Sequence, residues 1–284
     1  MIDLGFLKTL DRFSLIVNKH LTSNYIGERR TAFLGRGLVF RDYSSYAPGE
    51  DYRMIDWKVY GRTDRLMIKK HEEERNLTVH IISDFSASMN FGDPVKKSDY
   101  AGMLGIGFAY LAMKNNERFV MSTFAEKLEL FKPRKGRKQL AAIIEYMNEK
   151  RAKGMTNFEE SLGRYKKMVG SRSLIVIISD FLYDINEIKT TLLRFRNHDV
   201  RLVQVLDKTE KELDVEGEVK LRDSESGGVL RTYISPYLKK KYLNMLEVHN
   251  AMIRHACMEA NARFYSISTQ TPLFDAFYQV VAKG

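Results

Sequence analysis

An aspartate followed by two hydroxyls at alternate positions, Asp84, Ser86 and Ser88 in "DFSASM", comes directly after the hydrophobic run "LTVHIIS" at 77–83. Such a trio can ligate a metal ion, take part in phosphate chemistry, or simply start the next helix. Further along, "LIVIIS" at 174–179 is followed by Asp180, and "LVQVL" at 202–206 by Asp207. If these runs are parallel strands, the three carboxylates share one sheet edge, with neighbouring strands about 4.8 Å apart. Carboxylates that close raise each other's pKa, so a cation or a basic side chain is expected between them. Ser86 and Ser88 can turn to one side of an extended loop, and Thr156 in "KGMTNFEE" at 153–160 adds a hydroxyl at a helix start. Carboxylates with hydroxyls make an all-oxygen set, which suits a hard ion such as Mg²⁺ or Mn²⁺ and is poor for Zn²⁺. With few charged direct ligands the ion would stay electrophilic, open to an acidic side chain from a partner.

The elements that must position these residues follow from hydrophobic periodicity. Strands are predicted at 77–83, 117–124, 174–179 and 200–206, alternating with helices at 95–114, 138–150, 157–169 and 185–197. That alternation argues for a doubly wound α/β fold, a mostly parallel sheet with helices on both faces. The stretch 207–233 reads as a loop and then a hairpin around Gly227-Gly228. A long helix at 236–260, a strand at 262–267 and a closing helix at 272–282 finish the chain. Upstream, leucines at 4, 7, 10, 15 and 21 mark an amphipathic helix over 3–21, followed by short alternating stretches between Leu38 and Glu74. The expected organisation is an N-terminal helix and β-rich subdomain over 1–75 and the α/β domain over 76–284.

The chain has 284 residues and 44% hydrophobic content, enough for a substantial core. No apolar run approaches a bilayer span, and the N-terminus lacks a signal-peptide pattern, so a soluble, cytoplasmic protein is expected. The lone Cys257 fits a reducing compartment and reads as a core residue. The net charge of +10 is partly concentrated in "KPRKGRK" at 132–138 and "KKK" at 239–241. Neither segment has interleaved aromatics for base stacking, so solvated surface is the first reading, with a nucleic-acid-associated module as the alternative.

Enzyme chemistry finds little support. There is no G-x-x-x-x-G-K-[ST] or G-x-S-x-G, and the six histidines form no metal-spaced pair. An aspartyl-phosphate phosphatase would also start with a strand-end Asp, but Ser86 stands where its general acid belongs. "GMLGIG" at 102–107 lies inside a helical pattern and reads as close helix-to-sheet packing rather than a nucleotide loop. Thr156-x-x-Glu159 also reads as a capping box, and Asp207 as a strand-end turn residue rather than a ligand. Arg53, Asp56 and Trp57 read as an Arg-Asp pair with a buried indole that holds the N-terminal part on the core.

Asp84-x-Ser86-x-Ser88, Thr156 and Asp180, in that order, resemble the metal-ion-dependent adhesion site of von Willebrand factor A domains. Between 35 and 92 the chain also resembles domain-of-unknown-function family 58. The resemblance is carried by Gly35, Gly37 and Phe40, the block Tyr46 to Trp57, the triplet Gly61-Arg62-Thr63 and the run Glu72 to Glu74, all ahead of the D-x-S-x-S motif. Gly61 departs from the usual Ala or Ser, and no membrane helices precede the domain, which makes tethering unexpected. The resemblance implies a von Willebrand factor A-like, Rossmann-like fold in which the two serines ligate Mg²⁺ or Mn²⁺ directly, the threonine directly or through water, and the aspartates mainly through water. It also implies a non-enzymatic, chaperone-like adaptor that works with a MoxR-type AAA+ ATPase on a client protein, takes no small-molecule substrate, and coordinates an acidic side chain of its partner.

Overall fold

The computed structural model describes residues 9–11, 39–48, 50–72, 78–215, 217–222, 224 and 228–282. The chain divides into two compact units, residues 21–76 and residues 1–20 with 77–284.

The larger unit is built on a six-stranded sheet. Its strands, numbered along the chain after two that belong to the smaller unit, are β3 (Thr78–Asp84), β4 (Arg118–Phe124), β5 (Leu128–Glu129), β6 (Leu174–Ser179), β7 (Asp199–Leu206) and β10 (Ala262–Ser268). The spatial order is β10-β7-β6-β3-β4-β5, and only the short edge strand β5 runs antiparallel to its neighbour. Counted within this unit the order is 6-5-4-1-2-3, the doubly wound arrangement in which the chain reverses direction beside the first strand. This is the mostly parallel α/β sheet expected from the sequence.

Central strands covered on both faces should be continuously apolar, and β6 is buried along its whole length. The helices Lys97–Lys114 and Leu273–Ala282 cover one face. Gly105 permits the close approach: a Cβ there would sit 2.6 Å from Met121 Cε and 3.1 Å from Ile81 Cγ2, so the glycine-rich stretch is a packing surface. The helices Phe158–Lys166, Ile185–Phe195 and Pro236–Glu259 lie over the other face. There Leu162, Tyr165, Ile188, Leu192, Phe195 and Ile253 join Ile82, Ile175, Ile177 and Leu202 in one core, with Cys257 buried among them. Burial pushes the Cys257 thiol up to about 12.

Helix starts follow local chemistry. Asp184 caps Ile185–Phe195 through the Asn186 N–H, and Ser235 caps Pro236–Glu259 with proline in its first turn. The hairpin forms as β8 (Gly217–Arg222) and β9 (Val229–Ile234) in antiparallel register, while Gly227 of its expected turn lies outside the described residues. Between β7 and the hairpin, a short helix, Lys208–Glu212, replaces the expected loop. Of the first predicted helix, Thr9–Asp11 are described and helical. Leu10 is buried, and Asp11 accepts from Tyr110 and pairs with Lys114 at 2.6 Å; the rest of 3–21 lies outside the described residues.

In the smaller unit, β1 (Val39–Ser45) pairs antiparallel with β2 (Met67–Glu72), and a short helix, Trp57–Thr63, lies between them in sequence. Asp56 caps this helix through the N–H groups of Lys58 and Val59 and accepts from Tyr43 Oη at 3.0 Å. The expectation of a buried indole is corrected here. Trp57 is 60% exposed, its ring set edge-on to Tyr60, and the Arg53 guanidinium lies over the Tyr52 ring. The indole occupies the first turn of a helix that begins on an outer face, and the Asp56 carboxylate is engaged as cap and acceptor. Gly35, Gly37, Glu73 and Glu74 of the upstream signature lie outside the described residues.

Candidate metal centre at the strand ends

β3 and β6 are neighbours in parallel register, so Asp84 and Asp180 emerge side by side at the carboxyl edge, where ligands of open α/β sheets sit. Both are buried. Asp84 Oδ1 accepts from the Ser86 N–H at 2.8 Å, a turn that folds the loop back over the carboxylate. Its Oδ2 accepts from Ser179 Oγ at 2.9 Å and from the Tyr183 hydroxyl. Even with these donors, burial and the Asp180 charge push the Asp84 carboxyl up to about 6. Burial, with Asp84 and Asp180 alongside, holds the Tyr183 phenol well above its usual range.

Ser86 and Ser88 converge as their spacing predicts, with hydroxyl oxygens 3.0 Å apart. The loop carrying Thr156 is bonded to theirs by Ala87 N–H to the Gly154 carbonyl and Lys153 N–H to the Phe85 carbonyl, both 2.9 Å. Gly154 makes this approach with φ +85°, a left-handed conformation natural to glycine. Thr156 is half-buried and precedes the helix: the cap position is Asn157, one residue later than the capping-box reading required. Glu159, the other half of that box, accepts from Arg194 at 2.7 Å. Asp207 behaves as a turn residue, completing a capping box with Glu210 and accepting from Thr269 at 3.1 Å.

The Asp180 turn is held in a strained shape. Phe181 has φ +52°, uncommon for a bulky residue. It is fixed by burial of its ring, by its N–H on Ser179 Oγ at 3.1 Å, and by His249 Nε2 donating to its carbonyl at 2.8 Å. Gln204 Nε2 donates to the Asp180 carbonyl at 3.0 Å.

One strand-end acid has a basic partner that the sequence did not single out: Lys97 pairs with Asp180 and with Glu210 of the neighbouring short helix. It is wholly buried, with Nζ 3.0 Å from Asp180 Oδ2 and 2.6 Å from Glu210 Oε1. Burial alone would lower its pKa, but Asp180 and Glu210 reverse this and hold it above the usual value. Ser179 and Tyr183 were also missed. For Ser179 a signal existed, because "IISDF" occurs at both 81–85 and 177–181 and so places a serine before each strand-end acid.

The donor set suits a small hard cation. The Ser86 and Ser88 hydroxyls hydrogen-bond each other at 3.0 Å, a separation that would also let both oxygens take adjacent corners of an Mg²⁺ octahedron, about 3.0 Å apart for bonds of about 2.1 Å. Two buried acids supply compensating charge. Among the described residues no group of three or more His, Cys, Asp or Glu converges for a metal, so hydroxyls are essential to this set.

The family described as "Protein of unknown function DUF58" matches residues 42–252. The uncharacterized proteins Mb1516 of Mycobacterium bovis and Rv1480 of Mycobacterium tuberculosis are each 26% identical over 268 residues, covering 93% of this chain and 84% of theirs. Among solved structures, the conserved hypothetical protein BatB from Bacteroides thetaiotaomicron matches with TM-score 0.47 and 16% identity over 73% of this chain and 98% of its own. An aerotolerance-related membrane protein from Bacteroides fragilis matches with TM-score 0.44 and 17% identity over 73% and 100%. Among the described residues, no helix here is long and apolar enough to cross a membrane. With the family match spanning most of the α/β unit and reaching back into the smaller one, the chain belongs to the DUF58 family.

Proposed function

We propose that this protein is a non-enzymatic interaction module whose grip on a partner depends on a divalent cation. Ser86, Ser88 and Thr156 would hold Mg²⁺ or Mn²⁺, with Asp84 and Asp180 at or beside the ion, and the bound ion supplies an electrophile for a partner's carboxylate. The observation that supports this best is the convergence of the Ser86 and Ser88 hydroxyls, 3.0 Å apart, beside two buried carboxylates from adjacent strands. The chain's own residues prepare the place: Ser86 N–H, Ser179 and Tyr183 orient Asp84, while His249 and Gln204 hold the turn that presents Asp180. The likeness to family 58 extends the proposal to a chaperone-like adaptor for a MoxR-type AAA+ ATPase acting on a client protein. Isothermal titration with Mg²⁺ or Mn²⁺ is expected to show one saturable site that Asp84→Ala abolishes. Absence of binding, with or without a partner, would refute the proposal.

A second reading draws on the exposure of Lys132, Arg134, Lys135, Arg137 and Lys138. A nucleic-acid module would bind with steep salt dependence and be indifferent to Asp84→Ala. Gel shifts at two salt concentrations distinguish the two readings.

A further inference from the structure

We propose that Lys97 is a built-in counter-cation of the strand-end site, weakening its hold on a divalent ion and thereby keeping the bound ion available to a partner's carboxylate. This rests on reading the site as a Mg²⁺ or Mn²⁺ centre.

Lys97 lies in the first turn of Lys97–Lys114 and is 0% exposed. A lysine is almost never fully buried unless paired, because taking an ammonium out of water is costly. Here it is paired twice, with acids from two different elements: Asp180 at the end of β6 and Glu210 in the helix Lys208–Glu212.

Glu210 cannot simply swing away. Its Oε2 accepts from the Asp207 N–H at 3.0 Å, and its carbonyl accepts from Tyr242 Oη at 2.7 Å. The ammonium is therefore a fixture of the site and would remain when an ion binds.

Its effect follows from charge. Counted as carboxylates, Asp84, Asp180 and Glu210 against one ammonium leave two negative charges, which one divalent cation neutralises. Without Lys97 there would be three. The pocket would hold the ion more tightly but stay anionic once filled, and would repel the incoming carboxylate. Lys97 thus exchanges cation affinity for electrophilicity.

The test is Mn²⁺ titration of the full chain, with free Mn²⁺ read by electron paramagnetic resonance, for wild type, Lys97→Met and Glu210→Gln. Lys97→Met keeps the length of the side chain and removes its charge. It is expected to tighten binding about tenfold or more, because a unit charge in contact with a carboxylate shifts its affinity for a cation by about one to three decades. Glu210→Gln removes a negative charge and leaves Lys97 wholly to Asp180, so it is expected to weaken binding. A purely structural lysine would make both variants bind more weakly, and that outcome overturns the inference while leaving the metal site standing. If Lys97→Met does not fold, as judged by circular dichroism, Lys97→Gln, which is uncharged and can still donate a hydrogen bond, takes its place, and unchanged or weaker binding there overturns the inference. If neither wild type nor either variant binds Mn²⁺, the metal reading and this inference both fall.

Discussion

Asp84→Asn in metal-free protein should increase stability, although it removes a residue of the candidate site. The wild-type carboxylate is buried and faces Asp180, and its carboxyl is pushed from an ordinary 3.8 up to about 6. Because the folded protein holds this proton more tightly than the unfolded chain, the native state is favoured below pH 4. That advantage disappears as pH rises through about 6. A separation of that size amounts to about 3 kcal/mol once the group is fully ionised. Asparagine has the same shape and no charge. Its carbonyl can accept the Ser86 N–H, and its amide can donate to the Ser179 or Tyr183 hydroxyl, which already lie 2.6 Å apart and can reorient. Urea unfolding in excess chelator, followed by far-ultraviolet circular dichroism, should show the variant gaining about 2 to 3 kcal/mol on wild type between pH 4 and pH 8. A variant less stable than wild type at pH 8, or a difference that does not change with pH, would refute this electrostatic account.

Two further predictions concern the scaffold. His80 is buried against Tyr165, its Nδ1 2.9 Å from the phenol oxygen, and burial followed by the nearby His198 lowers it to about 4. It must stay neutral when folded, so its contribution runs opposite to that of Asp84 and is lost as pH falls below 6.5. Relative to His80→Gln, wild type should lose about 2 kcal/mol between pH 7 and pH 5 in denaturant titrations; parallel behaviour would count against a neutral, buried imidazole. Gly105→Leu should drive a side chain into Met121 and Ile81 and destabilise by about 1 to 3 kcal/mol, read as a lowered urea midpoint; an unchanged midpoint would show that this helix stands off the sheet.

Much of the frame is legible in the amino-acid order, because its signals are local. The run "LIVIIS" is apolar throughout since β6 is covered on both faces, and the acids at 84, 180 and 207 stand out because each closes such a run. Helix starts are less legible. Thr156 and Asn157 are both plausible caps, and the choice of Asn157 goes with a loop tied back to the one around Ser86. Trp57 shows another boundary: an indole beside alternating stretches reads as core, yet its place at the first turn of an exposed helix leaves it outside.

The alternation of strands and helices, the family, and the order in which the acids and hydroxyls occur can all be read from the chain order alone, since hydrophobic period and motif spacing are properties of neighbouring residues. The surroundings of those acids emerge on folding. Lys97 meets Asp180 across 83 positions and Glu210 across 113, and Tyr183 reaches Asp84 across 99. Such pairings have no local signature. They arise because the sheet order sets β3 beside β6 and β7 beyond it, which brings a buried ammonium, a phenol and three carboxylates from distant segments to one edge.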